Sequence, residues 1–191
     1  MTLFSYVVRD DAGFAPNPEK EYCTLACCKP IIRRTAKKGD WVVGTGSVKH
    51  NAQKKIIYAM KITEEPIDFE KYGRDERFKN RIDNIYLKDG NTNGYKQKPN
   101  RFHGGEEKKR DLSGAFILIS NSNNFSYFGM NAKELDPGFE KMIKKGPGHK
   151  CKFDPDLVNS FVEWAKRLPK GKQGEPFEKQ KEQNKSGGCR A

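Results

Sequence analysis

Apolar residues fall along the chain in short runs that predict several strands and a long helix. Five runs are rich in β-branched or aromatic side chains, and most of them are bounded by Gly, Asp or Asn, which is typical of strands. They cover residues 3–9, 41–43, 56–63, 115–119 and 125–129. Residues 155–167 instead carry apolar side chains at helical spacing after Asp154, a good N-cap. The pattern therefore predicts an α+β fold.

Two shorter helices are predicted between the strands. Pro30 suits the first turn of a helix that runs through Ala36 and stops at Gly39. Residues 65–72 favour a short acidic helix with aromatic side chains on one face. Residues 73–114 are the least regular stretch, dense in Gly, Asn, Lys and Arg, which is more typical of a functional excursion than of core.

The domain boundary is expected near residue 168. From Pro169 onward the composition changes to Lys, Gly, Gln and Glu with one aromatic residue, which cannot bury enough surface to fold alone. We therefore expect one domain over residues 1–168 and a basic, low-complexity, disordered tail over residues 169–191.

The stretch from residue 35 to residue 63 combines two strand-like runs with a loop that could hold a ligand. Trp41 begins the first run, and the loop Gly44-Thr45-Gly46-Ser47 offers backbone donors and two hydroxyl groups. An aromatic wall beside exposed donors suits a flat polar ring such as a nucleobase. Two plainer interpretations stay open, since a strand tryptophan usually packs in the core and such a loop can be a simple connection.

The charge of the chain favours an anionic partner. Among 191 residues, Lys and Arg number 37 against 25 Asp and Glu, which gives a formal net charge of +12. Cations placed near phosphates release counterions, so nucleic acid or nucleotide is expected, although a lysine-rich surface also serves solubility alone. No run approaches the roughly 20 apolar residues that a membrane helix needs, so we expect no membrane partner.

The five cysteines predict a reducing compartment rather than a disulfide scaffold. Their number is odd, and Cys23, Cys27 and Cys28 lie close together in sequence. We therefore expect a cytoplasmic protein in which they are small buried apolar residues. Without a CxxC pair or a nearby histidine, neither zinc nor another cofactor is expected.

An ordered series of motifs resembles the bacterial nucleotide-modification-associated domain of the second type. The series covers about residues 3–167, and its order is more specific than any single motif. The motifs are Ser5-Tyr6-Val7-Val8, Gly13-Phe14-Ala15-Pro16-Asn17-Pro18, Cys23-Thr24-Leu25-Ala26, Cys28-Lys29-Pro30, Arg33-Arg34-Thr35-Ala36, Gly39-Asp40-Trp41-Val42-Val43-Gly44-Thr45-Gly46-Ser47, Asp83-Asn84-Ile85-Tyr86, Phe102-His103, Leu118-Ile119-Ser120, Phe125-Ser126-Tyr127-Phe128-Gly129 and Gly148-His149-Lys150. The basic stretch at 104–110 and the tail after residue 168 lie outside the resemblance.

The resemblance carries expectations about fold and genomic context. The family is named for its company with base-modifying and defence genes, which points to DNA modification or phage defence without specifying an activity. The order of elements also resembles the PUA-like superfamily, which includes the EVE, YTH and ASCH domains. That likeness implies a small, bent β-barrel flanked by helices, with a pocket that receives a modified or flipped base.

Three groups of candidate site residues follow from the motifs. The expected base-binding residues are Trp41, Asn17, Thr45, Ser47, Asn84 and Tyr86. The expected phosphate-binding residues are Lys29, Arg33, Arg34 and His149. Asp83 and His103 are the candidates for acid–base catalysis, although sequence alone does not show that they meet. Each residue also has a structural interpretation, as core, loop support or solvated surface.

The sequence thus predicts a nucleic-acid-binding module that recognises a modified nucleobase in DNA or RNA. An alternative is an enzyme of the glycosylase or transferase type that acts on a modified base or a free nucleotide through Asp83 and His103. A third is a component of a modification or defence system that docks on partner proteins by charge.

Overall fold

The computed structural model describes residues 1–178, which contain short strands and helices in alternation. The strands are β1 (Leu3–Val8), β2 (Asn17–Glu19), β3 (Tyr22–Leu25), β4 (Trp41–Gly46), β5 (Lys55–Lys61), β6 (Ile67–Asp68), β7 (Tyr86–Lys88), β8 (Tyr95–Gln97), β9 (Phe116–Asn121), β10 (Phe125–Tyr127), β11 (Lys133–Glu134) and β12 (Gly171–Lys172). The helices are α1 (Pro30–Thr35), α2 (Phe69–Arg74), α3 (Gly105–Leu112) and α4 (Pro155–Lys166).

The largest sheet has the strand order β1-β4-β5-β10-β12, and β11 adds to β5. β1 runs parallel to β4, while β4 and β5 pair antiparallel with Trp41 opposite Lys61. The glycine at position 44 is required by packing, because a β-carbon there would collide with Tyr58 and Val8. The predicted ligand loop is therefore mostly strand, since β4 continues to Gly46 before a 3₁₀ turn at Val48–His50.

A second sheet, in the order β2-β3-β9-β6, packs against the first, and β7 and β8 form a separate hairpin. Side chains from both sheets share one apolar cluster that includes Tyr6, Val42, Ile57 and Leu118. On the other face of the first sheet, α4 buries Phe161 and its neighbours. This helix begins as predicted, because the Asp154 carboxylate accepts the backbone N–H of Asp156 at 2.9 Å.

The mixed α and β character predicted from the sequence is confirmed, but the PUA-like barrel is not. Within residues 1–178 no sheet closes on itself, because β1 and β12 form the open ends of the first sheet. The strands predicted around residues 3–9, 41–43, 56–63 and 115–119 are present as β1, β4, β5 and β9. α3 was not predicted, because its sequence, GEEKKRDL, has no apolar stripe and its one buried side chain is Asp111.

The fold also extends past the predicted boundary at residue 168. β12 pairs in parallel with β10, and Glu178 N donates to the carbonyl of Asp11 at 3.0 Å. Residues 169–178 therefore belong to the folded unit, while the rest of the predicted tail, 179–191, lies outside the described residues. No helix among residues 1–178 combines the length and the apolar character needed to cross a membrane.

Candidate functional site

The turn between β3 and α1 presents a cysteine in a strained backbone conformation. Cys28 and Lys29 both have positive φ, at 59° and 40°, which costs non-glycine residues on the order of 1–3 kcal/mol each. Two bonds fix this turn from outside: Cys28 N donates to Asp111 Oδ1 at 2.7 Å, and Cys28 O accepts from Arg33 Nε at 2.7 Å. The turn thereby holds a half-buried thiol at the end of a strand, immediately before a helix.

His103 links that thiol to a buried carboxylate. Its Nε2 lies 3.5 Å from the Cys28 sulfur, and its Nδ1 lies 2.5 Å from Asp111 Oδ2. Tyr86 donates its hydroxyl to the same carboxylate oxygen at 2.9 Å. The order of thiol, imidazole and carboxylate is that of a nucleophile, its base and the group that orients the base.

Packing fixes the His103 ring in this position. Phe14 meets the ring edge to face at 4.9 Å and itself stacks on Phe102 at 4.4 Å. The backbone is held as well, because His103 N donates to Asn100 Oδ1 at 2.8 Å and His103 O accepts from Gln97 Nε2 at 2.7 Å. The imidazole is therefore preorganised.

The electrostatics favour a protonated imidazole at neutral pH. Burial by itself lowers the pKa of His103, but the hydrogen bonds to Asp111 and Cys28 outweigh it and raise the pKa to about 9. Burial acts to raise the pKa of Asp111, yet its bonds from His103, the Cys28 N–H and Tyr86 hold the pKa below the usual value. A protonated Nε2 can donate a hydrogen bond to the Cys28 sulfur, which orients the thiol in the cleft.

Arg33 stabilises the turn that carries Cys28. Its guanidinium is fully buried and donates to the carbonyls of Cys28 and Phe116 at 2.7 Å, and also to that of Asp111. It thus ties the cysteine turn, α3 and β9 together. The close approach of Gly114 is required here, because a β-carbon at that position would collide with the guanidinium.

A cleft with two lobes, which we call the Cys28 cleft, opens at the thiol. Both lobes are lined by Asp10, Ala15, Cys28 and Arg110. The first lobe, of about 450 Å³, adds Tyr6, Arg9, Lys29 and His149 among others. The second lobe, of about 400 Å³, adds Phe14, Arg101, Phe102, His103 and Glu107. These volumes are in the range of small-molecule sites.

The first lobe carries an excess of positive charge. Arg9, Lys29 and Arg110 line it, and its one acidic residue, Asp10, is paired with Lys49. Lys29 lies with Nζ 4.3 Å from the centre of the Tyr6 ring, and burial lowers the pKa of this lysine. Burial, and then the charge of Lys29, lower the pKa of His149. A phosphate or another anion bound in this lobe would reduce the repulsion among its basic side chains.

The structure separates the four residues predicted to bind phosphate. Lys29 and His149 both line the first lobe, beside Cys28. Arg33 cannot reach a phosphate in this arrangement, because its guanidinium is enclosed by backbone carbonyls. Arg34 is exposed and donates to Ser113 O at 3.2 Å, outside both lobes.

The residues predicted to bind a base lie away from the cleft. Trp41 is 3% exposed and packs against α4 in the apolar cluster. Thr45 and Ser47 donate their hydroxyls to the carbonyls of Tyr6 and Arg9. Tyr86 is buried too, but it belongs to the site through its bond to Asp111.

Two further predicted residues, Asn17 and Asn84, are buried in the fold. Asn17 Oδ1 accepts from Arg81 at 2.9 Å, and the Asn84 amide donates to Phe78 O at 3.0 Å. These bonds stabilise loops and the strand β2. A role for either residue in base binding stays a prediction.

Asp83 and His103, the two predicted catalytic residues, are held by different partners. Asp83 is buried, accepts from Tyr72 at 2.9 Å and from Thr24, and lies 3.6 Å from Arg81. Burial raises the pKa of Asp83 despite these partners. The side chain lines neither lobe of the Cys28 cleft, so a structural role explains its contacts.

Two residues of the candidate site, Cys28 and Asp111, were missed by sequence reasoning. The available signal for Cys28 was its place in the connection between a strand and a helix that begins at Pro30, where nucleophiles are often displayed. Asp111 gave no local signal, because it follows three basic residues on a helix without an apolar stripe.

The same region includes a second thiol. Ligand atoms of Cys27, His103 and Asp111 lie within 4.8 Å of one another, so these residue types could hold a metal ion such as zinc. However, burial raises the pKa of the Cys27 thiol well above its usual value, and Nδ1 of His103 is bonded to Asp111. The geometry therefore fits the Cys28–His103 pair better than a metal centre.

Comparison with known proteins gives one family. The family model described as Nucleotide modification associated domain 2 matches residues 1–183. No curated protein and no solved structure matches the chain.

Proposed function

We propose that this chain, which belongs to the nucleotide modification associated domain 2 family, is an enzyme that uses the Cys28 thiolate on a nucleobase or nucleotide. Membership in the family connects the protein with nucleotide modification. The observation that carries the proposal is the contact of the Cys28 sulfur with His103 Nε2, at 3.5 Å, in an open cleft.

Cys28, His103 and Asp111 would each take one role in covalent catalysis. The Cys28 sulfur adds to an electrophilic carbon of the substrate, and the electron pair of the attacked double bond moves onto the adjoining nitrogen or oxygen. His103 delivers its Nε2 proton to that atom or to a leaving group. Asp111 stays ionised and keeps Nδ1 protonated, so that Nε2 faces the thiol.

The cleft supports a substrate with a negative charge. Lys29, Arg110 and His149 line the first lobe beside the nucleophile, at a position suited to a phosphate group. The second lobe is bordered by the stacked rings of Phe14 and Phe102, which offer an apolar wall to a base. The base-recognition module predicted from the sequence is the rival, because the same cations would also support binding without turnover.

Covalent trapping and product analysis test the proposal. The full chain is incubated with a panel of modified nucleotides and oligonucleotides, then examined by intact-protein mass spectrometry and by nucleoside mass spectrometry. We expect an adduct on Cys28 or a changed nucleoside, both lost in Cys28→Ala and in His103→Gln. Cys151→Ala is the matched control, since Cys151 is another half-buried thiol that lines neither lobe.

Two outcomes would overturn the proposal. Binding of a modified base that survives Cys28→Ala, without product in any variant, supports the recognition module instead. Stoichiometric zinc in the purified protein, with activity lost on chelation, supports a metal centre at Cys27, His103 and Asp111.

A further inference from the structure

A strongly basic segment lies beside the Cys28 cleft. Residues 141–152 contain no acidic side chain and carry a row of lysines. The row consists of Lys141, Lys144, Lys145, Lys150 and Lys152. Lys141, Lys144, Lys145 and Lys150 line an open groove of about 590 Å³, which we call the lysine groove.

The positive charge of the groove is not neutralised by the protein itself. Among residues 1–178, the amino groups of Lys144 and Lys150 donate to backbone carbonyls, those of Lys145 and Lys141, each at 2.5 Å. Glu140, the acidic residue at one end of the groove, is paired with Lys54 at 2.9 Å. The groove therefore presents cations that lack carboxylate partners in the described part of the chain.

The segment is anchored to the fold. Lys150 exchanges two backbone hydrogen bonds of 2.8 Å with Ser5 on the edge strand β1. Met142 is buried, and Ile143 and Phe153 pack against the cluster under α4. A row of cations on an anchored backbone keeps a fixed position relative to the cleft.

The groove and the cleft share one piece of chain. Pro147, Gly148 and His149, in the middle of the lysine segment, form part of the wall of the first lobe beside Lys29 and Cys28. The groove and the first lobe are therefore lined by neighbouring residues of one segment, His149 in the lobe and Lys150 in the groove.

We propose that the lysine groove binds the phosphodiester backbone of a nucleic acid strand and delivers an unstacked base of that strand to the Cys28 cleft. The inference rests on the proposed function and narrows its substrate class to a base within a polynucleotide. A free nucleotide carries its phosphates next to the base, so cations inside the cleft would suffice for it. A row of lysines outside the cleft suits a ligand with successive phosphates.

Binding measurements with charge-reversed variants test the groove. Fluorescence anisotropy follows the full chain with labelled single-stranded DNA, single-stranded RNA and duplex DNA at several salt concentrations. The test variant is Lys144→Glu/Lys145→Glu. The matched control, Lys71→Glu/Lys79→Glu, makes the same change of net charge at exposed lysines that line neither groove nor cleft.

We expect the groove variant to weaken strand binding at least about tenfold and to reduce the slope of log affinity against log salt by about 1–2, as for one or two lost phosphate contacts. The control variant should keep most of the affinity. The three labelled ligands show which kind of nucleic acid the groove prefers. Duplex DNA should bind more weakly than a single strand, because a base in a duplex must first be extruded. Equal losses in both variants, or no loss in either, would overturn the inference.

Failure of the groove and failure of the proposed function give different results. A Cys28 adduct with a free nucleotide that the groove substitutions do not affect would support the proposed enzyme and overturn the role of the lysine groove. Strand binding that depends on the lysines, without any adduct or product, would support the lysine groove and overturn the proposed nucleophilic role of Cys28.

Discussion

Cys28 and His103 are separated by 75 positions in the chain, yet Nε2 of the imidazole lies 3.5 Å from the sulfur. The contact is produced by two connecting segments, the turn after β3 and the loop before α3. Asp111 joins both, because it accepts the Cys28 N–H and the His103 ring N–H. The carboxylate thus fixes both the backbone of Cys28 and the orientation of the His103 ring.

The first prediction concerns the pKa of His103. Asp111→Asn should lower it from about 9 toward the ordinary value of 6.5, because burial lowers this pKa and only the contact with Cys28 is left to oppose it. NMR titration of the imidazole signals measures the change. His149 is the internal reference, since burial and Lys29 lower its pKa and the substitution lies outside its contacts.

The same shift sets the pH dependence of stability. Since the folded pKa of His103 is raised, its contribution is complete below the unfolded value of 6.5 and is lost as pH rises to about 9. The free energy of unfolding of the wild type should therefore exceed that of Asp111→Asn most clearly near pH 6. The part of this difference that disappears between pH 6 and pH 9 should be at most about 3 kcal/mol. Denaturant unfolding from pH 5 to 9 measures the difference. A difference that grows toward pH 9 would contradict the assignment.

The second prediction compares two neighbouring arginines. Arg33→Met should lower the free energy of unfolding by at least about 3 kcal/mol, because it leaves three carbonyls of the site without their donor. Arg34→Met should change it by no more than about 0.5 kcal/mol, since Arg34 is exposed. Similar values for the two variants in urea unfolding would show that Arg33 does not hold the site together.

The third prediction separates the two residues that the sequence marked for catalysis. Asp83→Ala should lower the free energy of unfolding by about 3–5 kcal/mol, because Arg81, Thr24 and Tyr72 lose a buried partner. The rate of Cys28 alkylation by iodoacetamide in the folded protein should stay unchanged. His103→Gln should instead slow alkylation at pH 7 at least about tenfold, since the sulfur loses the imidazole that is proposed to activate it. Slower alkylation in folded Asp83→Ala would restore Asp83 to the site.

Elements with a clear apolar pattern were predictable from the sequence. β1, β4 and β5 contain continuous apolar runs, and α4 has helical apolar spacing after Asp154 and Pro155. α3 was not, because a helix that buries only a carboxylate has no periodic signal. Its N-terminus is capped locally, because Gly104 N donates to Glu107 Oε2 at 2.9 Å, and Asp111 connects it to Cys28 and Arg33.

The site was predictable only where charge or residue type marked it. His103, Lys29 and His149 were recognised as polar residues in irregular segments, and all three line the cleft. Cys28 was not, because a single thiol becomes a nucleophile through its neighbours, and those neighbours lie 75 and 83 positions away. Trp41 was predicted to bind a base because an aromatic residue stands beside a glycine-rich loop in the sequence. Its packing in the apolar core accounts for the residue instead.

The last prediction concerns that tryptophan. Trp41 is 3% exposed, and its indole nitrogen is buried without a hydrogen-bond partner among residues 1–178. Trp41→Phe should therefore cost only about 1–2 kcal/mol of stability and leave binding of nucleic acid strands unchanged. Lys29→Ala, which alters the cleft instead, should weaken binding.

Fluorescence gives an independent measurement of the same point. The chain has two tryptophans, so Trp164→Phe leaves Trp41 as the sole indole emitter. A stacked base would quench that emission, whereas a base in the Cys28 cleft should leave it nearly unchanged because Trp41 is buried and lines neither lobe. Strong quenching by a modified oligonucleotide, together with lost base preference in Trp41→Phe, would place recognition at β4 and remove it from the cleft.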